Sequence, residues 1–272
     1  MTPRVRWLAR AAAAAALPFI GSAVAQSPTR QDGVTVTFLA NEGVMLSGGG
    51  KRVLIDALFR KYERGYAVPA DSTQAALQSA RPPFDAVDLV LVTHRHGDHF
   101  HPAPVAAHLR ANPRATLLTS RQVIDSLRGR VSAGDPIAPR VMARTMAPGT
   151  RRREVVNGIA VELLGLRHHD LEHLGFVVEL GGRRVLHVGD TDDAATAFPP
   201  FRLDTARIDV ALLPYWMVRS KDGRRAIERW IRPRQVVAFH VGEREGARAV
   251  RAVQAAMPGT VTFVRSLDTR RW

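Results

Sequence analysis

A chain of 272 residues with 46% hydrophobic content can bury a substantial core and is neither disordered nor fibrous. The absence of cysteine excludes disulfide staples and every thiolate metal site, leaving His, Asp and Glu as possible metal ligands. The net charge of +14 is carried almost wholly by arginine spread along the chain, which predicts a solvated basic surface rather than a nucleic-acid footprint.

Arg4, Arg6 and Arg10 precede an apolar run from Ala11 to Ile20, and the small residues Ala23 and Ala25 fit cleavage before Gln26. Residues 1–25 therefore read as an export signal, and the mature protein is expected in the periplasm or outside the cell. The run is too short to predict a stable membrane anchor. Gln26 to Gly33 is a polar lead-in expected to be flexible, and the folded domain is expected over 34–272. Val34 to Leu39, Gly43 to Leu46 and Arg52 to Ile55 predict three hairpin-linked strands, the last after the Gly48-Gly49-Gly50 turn. The irregular stretch from Asp56 to Pro83 holds a short helix around Ser72 to Gln78, and Tyr62 and Tyr66 are candidates to line a pocket.

Asp88 to Val92 is a strand that delivers Thr93-His94-Arg95-His96-Gly97-Asp98-His99. Alternate side chains of an extended chain share a face, so His94 and His96 can clamp one ion while the turn at Gly97 aims Asp98 and His99 at another. Imidazole nitrogen and carboxylate oxygen suit Zn²⁺ or another divalent transition metal. His101 faces either the pocket or the start of the next helix, and His108 within that helix is expected to face solvent. Thr116 to Thr119 is a strand, and Ser120 caps a helix burying Val123, Ile124 and Leu127. Further strands are expected at Ala143 to Met146, Ile159 to Leu166, Gly175 to Leu180 and Arg184 to Val188, with Gly181-Gly182 as a hairpin signal. Ile208 to Leu213 and Gln235 to Phe239 are apolar runs of strands covered on both faces. Lys221 to Ile231 is a helix between them, Glu243 to Met257 is a last helix stacking Ala247, Val250, Val253 and Met257, and Thr260 to Val264 closes the pattern. Two facing sheets with helices outside explain this order.

Asp190 emerges just after a buried strand, and a carboxylate with two oxygens can bridge two cations. His240 ends another such strand and can complete the site that Asp98 and His99 begin. The partner of His94 and His96 lies among His168, His169 and His173, with His169 preferred, His168 next and His173 third. His187 inside a strand is expected to be structural. Asp192 is expected to cap a helix beginning at Asp193. Asp56 can accept the second ring N–H of a ligating histidine and orient it. Tyr215 is a further pocket candidate, and apolar packing is the expectation for Trp216.

His94-x-His96-x-Asp98-His99, a later His, Gly189-Asp190-Thr191 and His240 resemble the metallo-β-lactamase superfamily, over about Val34 to Val264. Leu186-His187-Val188-Gly189-Asp190-Thr191 and Ala211 to Trp216 are similar to its branch containing the ascorbate-phosphate lactonase. The resemblance implies an α/β fold, a four-layer αββα sandwich of two sheets flanked by helices. It further implies two Zn²⁺ ions and a metal-bridging hydroxide acting on an ester, lactone or phosphodiester-like small molecule, with Asp98 orienting the hydroxide or accepting a proton. Competing expectations are a β-lactamase, whose dizinc forms use Cys or a third His where Asp190 stands, a phosphodiesterase or nuclease, and a noncatalytic metal-binding protein of the same fold.

Overall fold

Leu89 and Leu91 point into one apolar core while Val90 and Val92, alternating with them, point into another. A strand with two buried faces must lie between two layers. The same alternation recurs in the other half of the chain, where Val237 and Phe239 enter the first core and Val236 and Ala238 a third. The central core is shared by two sheets, and each outer core is closed by helices, which is the expected four-layer αββα sandwich. These facts come from a computed structural model that describes residues 32–60, 65–192, 194–242 and 244–272. The export segment and most of the lead-in lie outside the described residues. The end of the lead-in is fixed: the Gly33 N–H donates to Gly181 O at 2.6 Å.

The chain builds the first sheet from an antiparallel hairpin series, β1 (Thr35–Ala40), β2 (Gly43–Gly48) and β3 (Lys51–Ile55). After helix α1 (Asp71–Gln78) it turns parallel, through β4 (Leu89–Val92), α2 (Pro102–Ala111), β5 (Thr116–Ser120), α3 (Arg121–Leu127) and β6 (Val141–Arg144). Ser120 caps α3 as expected, its Oγ accepting from Val123 N at 3.4 Å. The second sheet repeats the plan. β7 (Arg151–Val156), β8 (Ile159–His168), β9 (Leu171–Leu180) and β10 (Arg183–His187) are antiparallel, with Gly181 and Gly182 at positive φ in the β9–β10 turn. A short helix α4 (Ala194–Ala197) follows, then β11 (Val210–Pro214), α5 (Tyr215–Arg219), α6 (Lys221–Ala226) with a π turn at Ile227–Ile231, β12 (Gln235–Phe239), α7 (Gly246–Ala256) and β13 (Val261–Thr262). β14 (Thr269–Arg271) returns to pair with β1, giving the orders β14-β1-β2-β3-β4-β5-β6 and β13-β12-β11-β10-β9-β8-β7.

Several expectations need correction. β7 and β14 were not foreseen because both are edge strands with almost wholly exposed, arginine-rich faces, so neither has an apolar period. β6 begins and ends two residues earlier than the expected Ala143 to Met146. In α7 the buried residues are Ala249 and Val253, and Ala247 is exposed, because the helix starts at Gly246 and presents a different stripe. His108 is fully buried and not solvent-facing: its Nδ1–H donates to Leu77 O of α1 at 2.6 Å, which ties α2 to α1. Among the described residues no helix is long and apolar enough to cross a membrane.

Candidate metal centre

The candidate donors all leave strand ends at one edge of the sandwich. Thr93 and His94 follow β4, His168 is the last residue of β8, Asp190 is the third residue after β10 and His240 follows β12. The two sheets meet here, with Leu174 N donating to Thr93 O at 3.0 Å. Asn41, Asp56 and His240 adopt φ of 50°, 48° and 61°. Left-handed backbone is uncommon outside glycine and turns each chain sharply off its strand, so that the side chain faces along the edge.

One group gathers His94, His96, His168 and Asp190. His94 Nε2 lies 2.9 Å from His96 Nδ1, and His168 Nε2 lies 3.3 Å from the same atom. The opposite ring nitrogens are engaged: His94 Nδ1 with Thr93 Oγ1 at 3.0 Å and His168 Nδ1 with Asp192 Oδ1 at 3.1 Å. Thr93 Oγ1 donates its own hydrogen to Asp56 Oδ2 at 2.6 Å, so it accepts from His94 Nδ1–H, leaving the Nε2 lone pair free. Asp192 fixes His168 in the same way. Burial, followed by the neighbouring imidazoles His99 and His173, holds the His94 pKa well below the usual value, so the ring is in its neutral, ligating form. Tetrahedral coordination by nitrogens about 2.0–2.1 Å from zinc would place them roughly 3.3 Å apart. The donor set fits a divalent cation.

A second group gathers Asp98, His99, Asp190 and His240. His99 Nε2 approaches Asp190 Oδ2 at 3.3 Å and His240 Nε2 approaches Asp190 Oδ1 at 3.3 Å, while His240 Nε2 is 3.5 Å from Asp98 Oδ2. His99 Nε2, His240 Nε2 and Asp190 Oδ1 are nevertheless buried atoms without a hydrogen-bond partner. Orphaned donors of this kind are satisfied by a cation. Behind His99, Asp56 Oδ2 takes the Nδ1–H at 2.9 Å, and Asp56 Oδ1 accepts from Thr93 N at 2.8 Å. Burial alone would lower the pKa of His99, but the charge of the adjacent Asp190 carboxylate and the hydrogen bond that Asp56 accepts from Nδ1–H raise it well above the usual range. His240 follows the same pattern, burial opposed by Asp190 and Asp98, and is raised to about 10. Burial would also raise the Asp190 pKa; the charges of His99 and His240 hold it well below the carboxylate range. Protons on two imidazoles thus balance the carboxylates where cations would otherwise do so.

Residues 51–263 match the profile of the beta-lactamase superfamily domain. The chain belongs to the metallo-β-lactamase superfamily. It is 27% identical over 221 residues to a UPF0173 metal-dependent hydrolase from Pyrococcus abyssi, covering 76% of this chain and 84% of the relative. The metallo-beta-lactamase fold protein YhfI from Bacillus subtilis superposes with a TM-score of 0.60 at 13% identity, over 89% of this chain and 100% of that one. CmlA, a diiron beta-hydroxylase from Streptomyces venezuelae, superposes with a TM-score of 0.53 at 17% identity, over 90% of this chain and 55% of its own.

Within this metallo-β-lactamase frame, seven donors come together and two candidates, His169 and His173, do not. The ring of His169 is 70% exposed and its backbone sits at φ 50°, in the two-residue turn between β8 and β9, so the inward place falls to His168. His168 is still within β8, on the face of the buried Leu164 and Leu166, whereas the opposite face, with Val161 and Leu163, is buried too, so alternation alone does not choose between the two histidines. Asp192 accepts from His168 Nδ1 and His169 N, and among the described residues these are its side-chain bonds; α4 begins at Ala194, one residue later than the expected start. His173 is buried in β9, hydrogen-bonds Val188 O at 2.8 Å through Nε2 and stacks on His94 at 5.0 Å. His187 is structural as expected, Nε2 donating to Glu42 O at 3.0 Å, and His101 accepts from Arg60 N at 2.6 Å. Thr93, Asn41 and Glu42 contribute without having been singled out, since nothing in their local sequence distinguishes them from turn residues.

Outside the second group lies a cavity of about 550 Å³ lined by Tyr66, Tyr215, Trp216, His240, Arg244 and Glu245 among others. Tyr66 and Trp216 each set an edge-on ring against His240, at 4.6 and 4.7 Å. Trp216 is 37% exposed and forms a wall of this cavity; packing in a core, the expectation for it, is ruled out by its place at the start of the short helix α5 on the rim. Tyr62 lies outside the described residues.

Proposed function

We propose that the protein is a binuclear metal-dependent hydrolase of an ester, lactone or phosphodiester-like small molecule, exported to the periplasm or beyond. The observation that carries this reading is Asp190, whose carboxylate belongs to both donor groups at once. His94, His96 and His168 would hold one divalent cation, Asp98, His99 and His240 the other, with Asp190 shared. When bound, such a pair of cations activates water as a nucleophile at neutral pH and polarises the bond to be cleaved. The name of the Pyrococcus relative, a metal-dependent hydrolase, supports the reaction class. Zinc suits the nitrogen and oxygen donors, although the diiron neighbour of the same fold makes iron the principal competitor.

The chain's own groups do the rest. Asp98 stays ionised: burial would raise its pKa, but the neighbouring imidazoles of His240 and His99 hold it below the carboxylate range, so it is available as an acceptor that orients water. Asp56 and Asp192 hold the rings of His99 and His168, so the donors need no reorganisation on binding. A substrate in the 550 Å³ cavity meets the centre at His240, between Tyr66 and Trp216. Arg4 to Ala25 supports export, and N-terminal sequencing of protein from the native cell should begin at Gln26.

The deciding experiment loads purified protein with Zn²⁺, counts ions by elemental analysis and screens lactones, esters, phosphodiesters and β-lactams. Two ions per chain and turnover abolished by a chelator and restored by metal are expected. Turnover indifferent to chelator, or a protein that takes up no metal, would refute the reading.

A further inference from the structure

The β1–β2 turn belongs to the N-terminal hairpin, yet it reaches beneath the second donor group. Asn41 is fully buried there at φ 50°. Its Nδ2 donates to Asp98 Oδ2 at 3.2 Å and to the Asp98 main-chain oxygen at 3.3 Å. Its main-chain oxygen accepts the N–H of His240 at 3.0 Å. The next residue, Glu42, accepts His187 Nε2 on its main-chain oxygen at 3.0 Å and places a buried carboxyl oxygen 4.0 Å from His99 Nδ1. Two consecutive residues thus touch Asp98, His240 and His99, three of the four donors of the second group. Among the described residues the turn makes no hydrogen bond to His94, His96 or His168. It also lies before Lys51, where the match to the superfamily profile begins.

Asparagine suits this position for two reasons. It tolerates left-handed backbone better than most residues, and its amide is a donor of fixed direction. Asn41 Oδ1 is buried without a partner, which is costly for an amide. An alanine or serine would avoid that cost, so the Nδ2 contact to Asp98 is what the amide supplies in return.

We propose that Asn41 is a positioning residue that sets the affinity of the second metal position by fixing the Asp98 carboxylate and the His240 main chain, leaving the first position untouched. The inference rests on the binuclear reading. Full-length protein, stripped by chelation and titrated with Zn²⁺ against a chromophoric competitor, tests it with Asn41→Gly, since glycine adopts φ 50° without strain and removes the side-chain amide while keeping the main-chain oxygen that holds His240. The wild type should bind two ions. Asn41→Gly should bind the first with unchanged affinity and the second roughly 10- to 100-fold more weakly, the range seen when a group supporting a ligand is removed. Asn41→Ser, which keeps a shorter donor, should fall between them and replaces the glycine variant if that one does not fold. A wild type that holds one ion overturns the binuclear reading and this proposal together. A wild type holding two, with a folded variant that holds both at wild-type affinity or loses both equally, overturns the proposal alone.

Discussion

At the scale of single residues, His168 and His169 are adjacent and chemically identical, and geometry separates them. The His168 side chain is 9% exposed and that of His169 is 70% exposed. His168→Ala should lose one ion per chain and His169→Ala neither, read by elemental analysis of the metal-loaded variants. Asp190 presents a different case, because its charge is shared. Asp190→Asn keeps the size and part of the hydrogen bonding but cannot neutralise two cations. Occupancy of at least one position should fall and turnover on any substrate found should drop by orders of magnitude, in line with the several kcal/mol that a metal supplies to charge stabilisation. Circular dichroism should be unchanged, because the three cores contain none of the donors.

At the scale of elements, the strand ends are where close packing meets the site. Gly189, at φ 60° just past β10, has no room for a side chain: an added Cβ would lie 2.6 Å from His173 Nε2 and 3.0 Å from Thr93 Cβ. Gly189→Ala therefore combines backbone strain with overpacking between the two sheets, and should cost about 2 kcal/mol or more in urea unfolding. The α1–α2 contact makes a prediction away from the metals. Burial, only partly offset by the hydrogen bond to Leu77 O, holds the His108 pKa below its usual value. The unfolded chain then binds a proton that the folded one refuses, so the stability is full above about pH 6.5 and is lost as pH falls toward the folded pKa. His108→Asn, which keeps a donor for Leu77 O without a titrating ring, should flatten part of the acid loss of Tm below pH 6.5. An identical acid limb in both proteins would remove His108 from that balance.

For the whole molecule, protons and cations compete for the same centre. In metal-free protein the His240 pKa stands at about 10, raised by Asp190 and Asp98 against burial. A raised folded pKa contributes stability fully present below the unfolded value of about 6.5 and lost as pH climbs through about 10. Chelator-treated protein should therefore lose stability across that window. Metal uptake must displace these protons, so the Tm gap between loaded and stripped protein should widen with pH over the same range, and loading should release protons into a weakly buffered solution. Calorimetry at pH 6, 8 and 10 measures the gap; one that narrows would show that the two do not compete.

What the chain determined by itself is local. A β-branched and leucine-rich run ending in His94-x-His96-x-Asp98-His99, the Gly181-Gly182 turn, and strands that deliver Asp190 and His240 at their ends are all properties of short windows, where period and side-chain chemistry suffice. Asp56 was also legible, as an acid at a strand end able to hold a histidine ring. The tertiary structure decided the rest. It chose His168, since that depends on where β8 stops and β9 starts, a pairing the isolated segment does not fix. It brought Asn41 to Asp98 across 57 positions of sequence, and folded β7 and β14 onto sheet edges. Contacts of that range leave no periodic trace, and an edge strand is held by its neighbour's hydrogen bonds more than by burial of its own side chains.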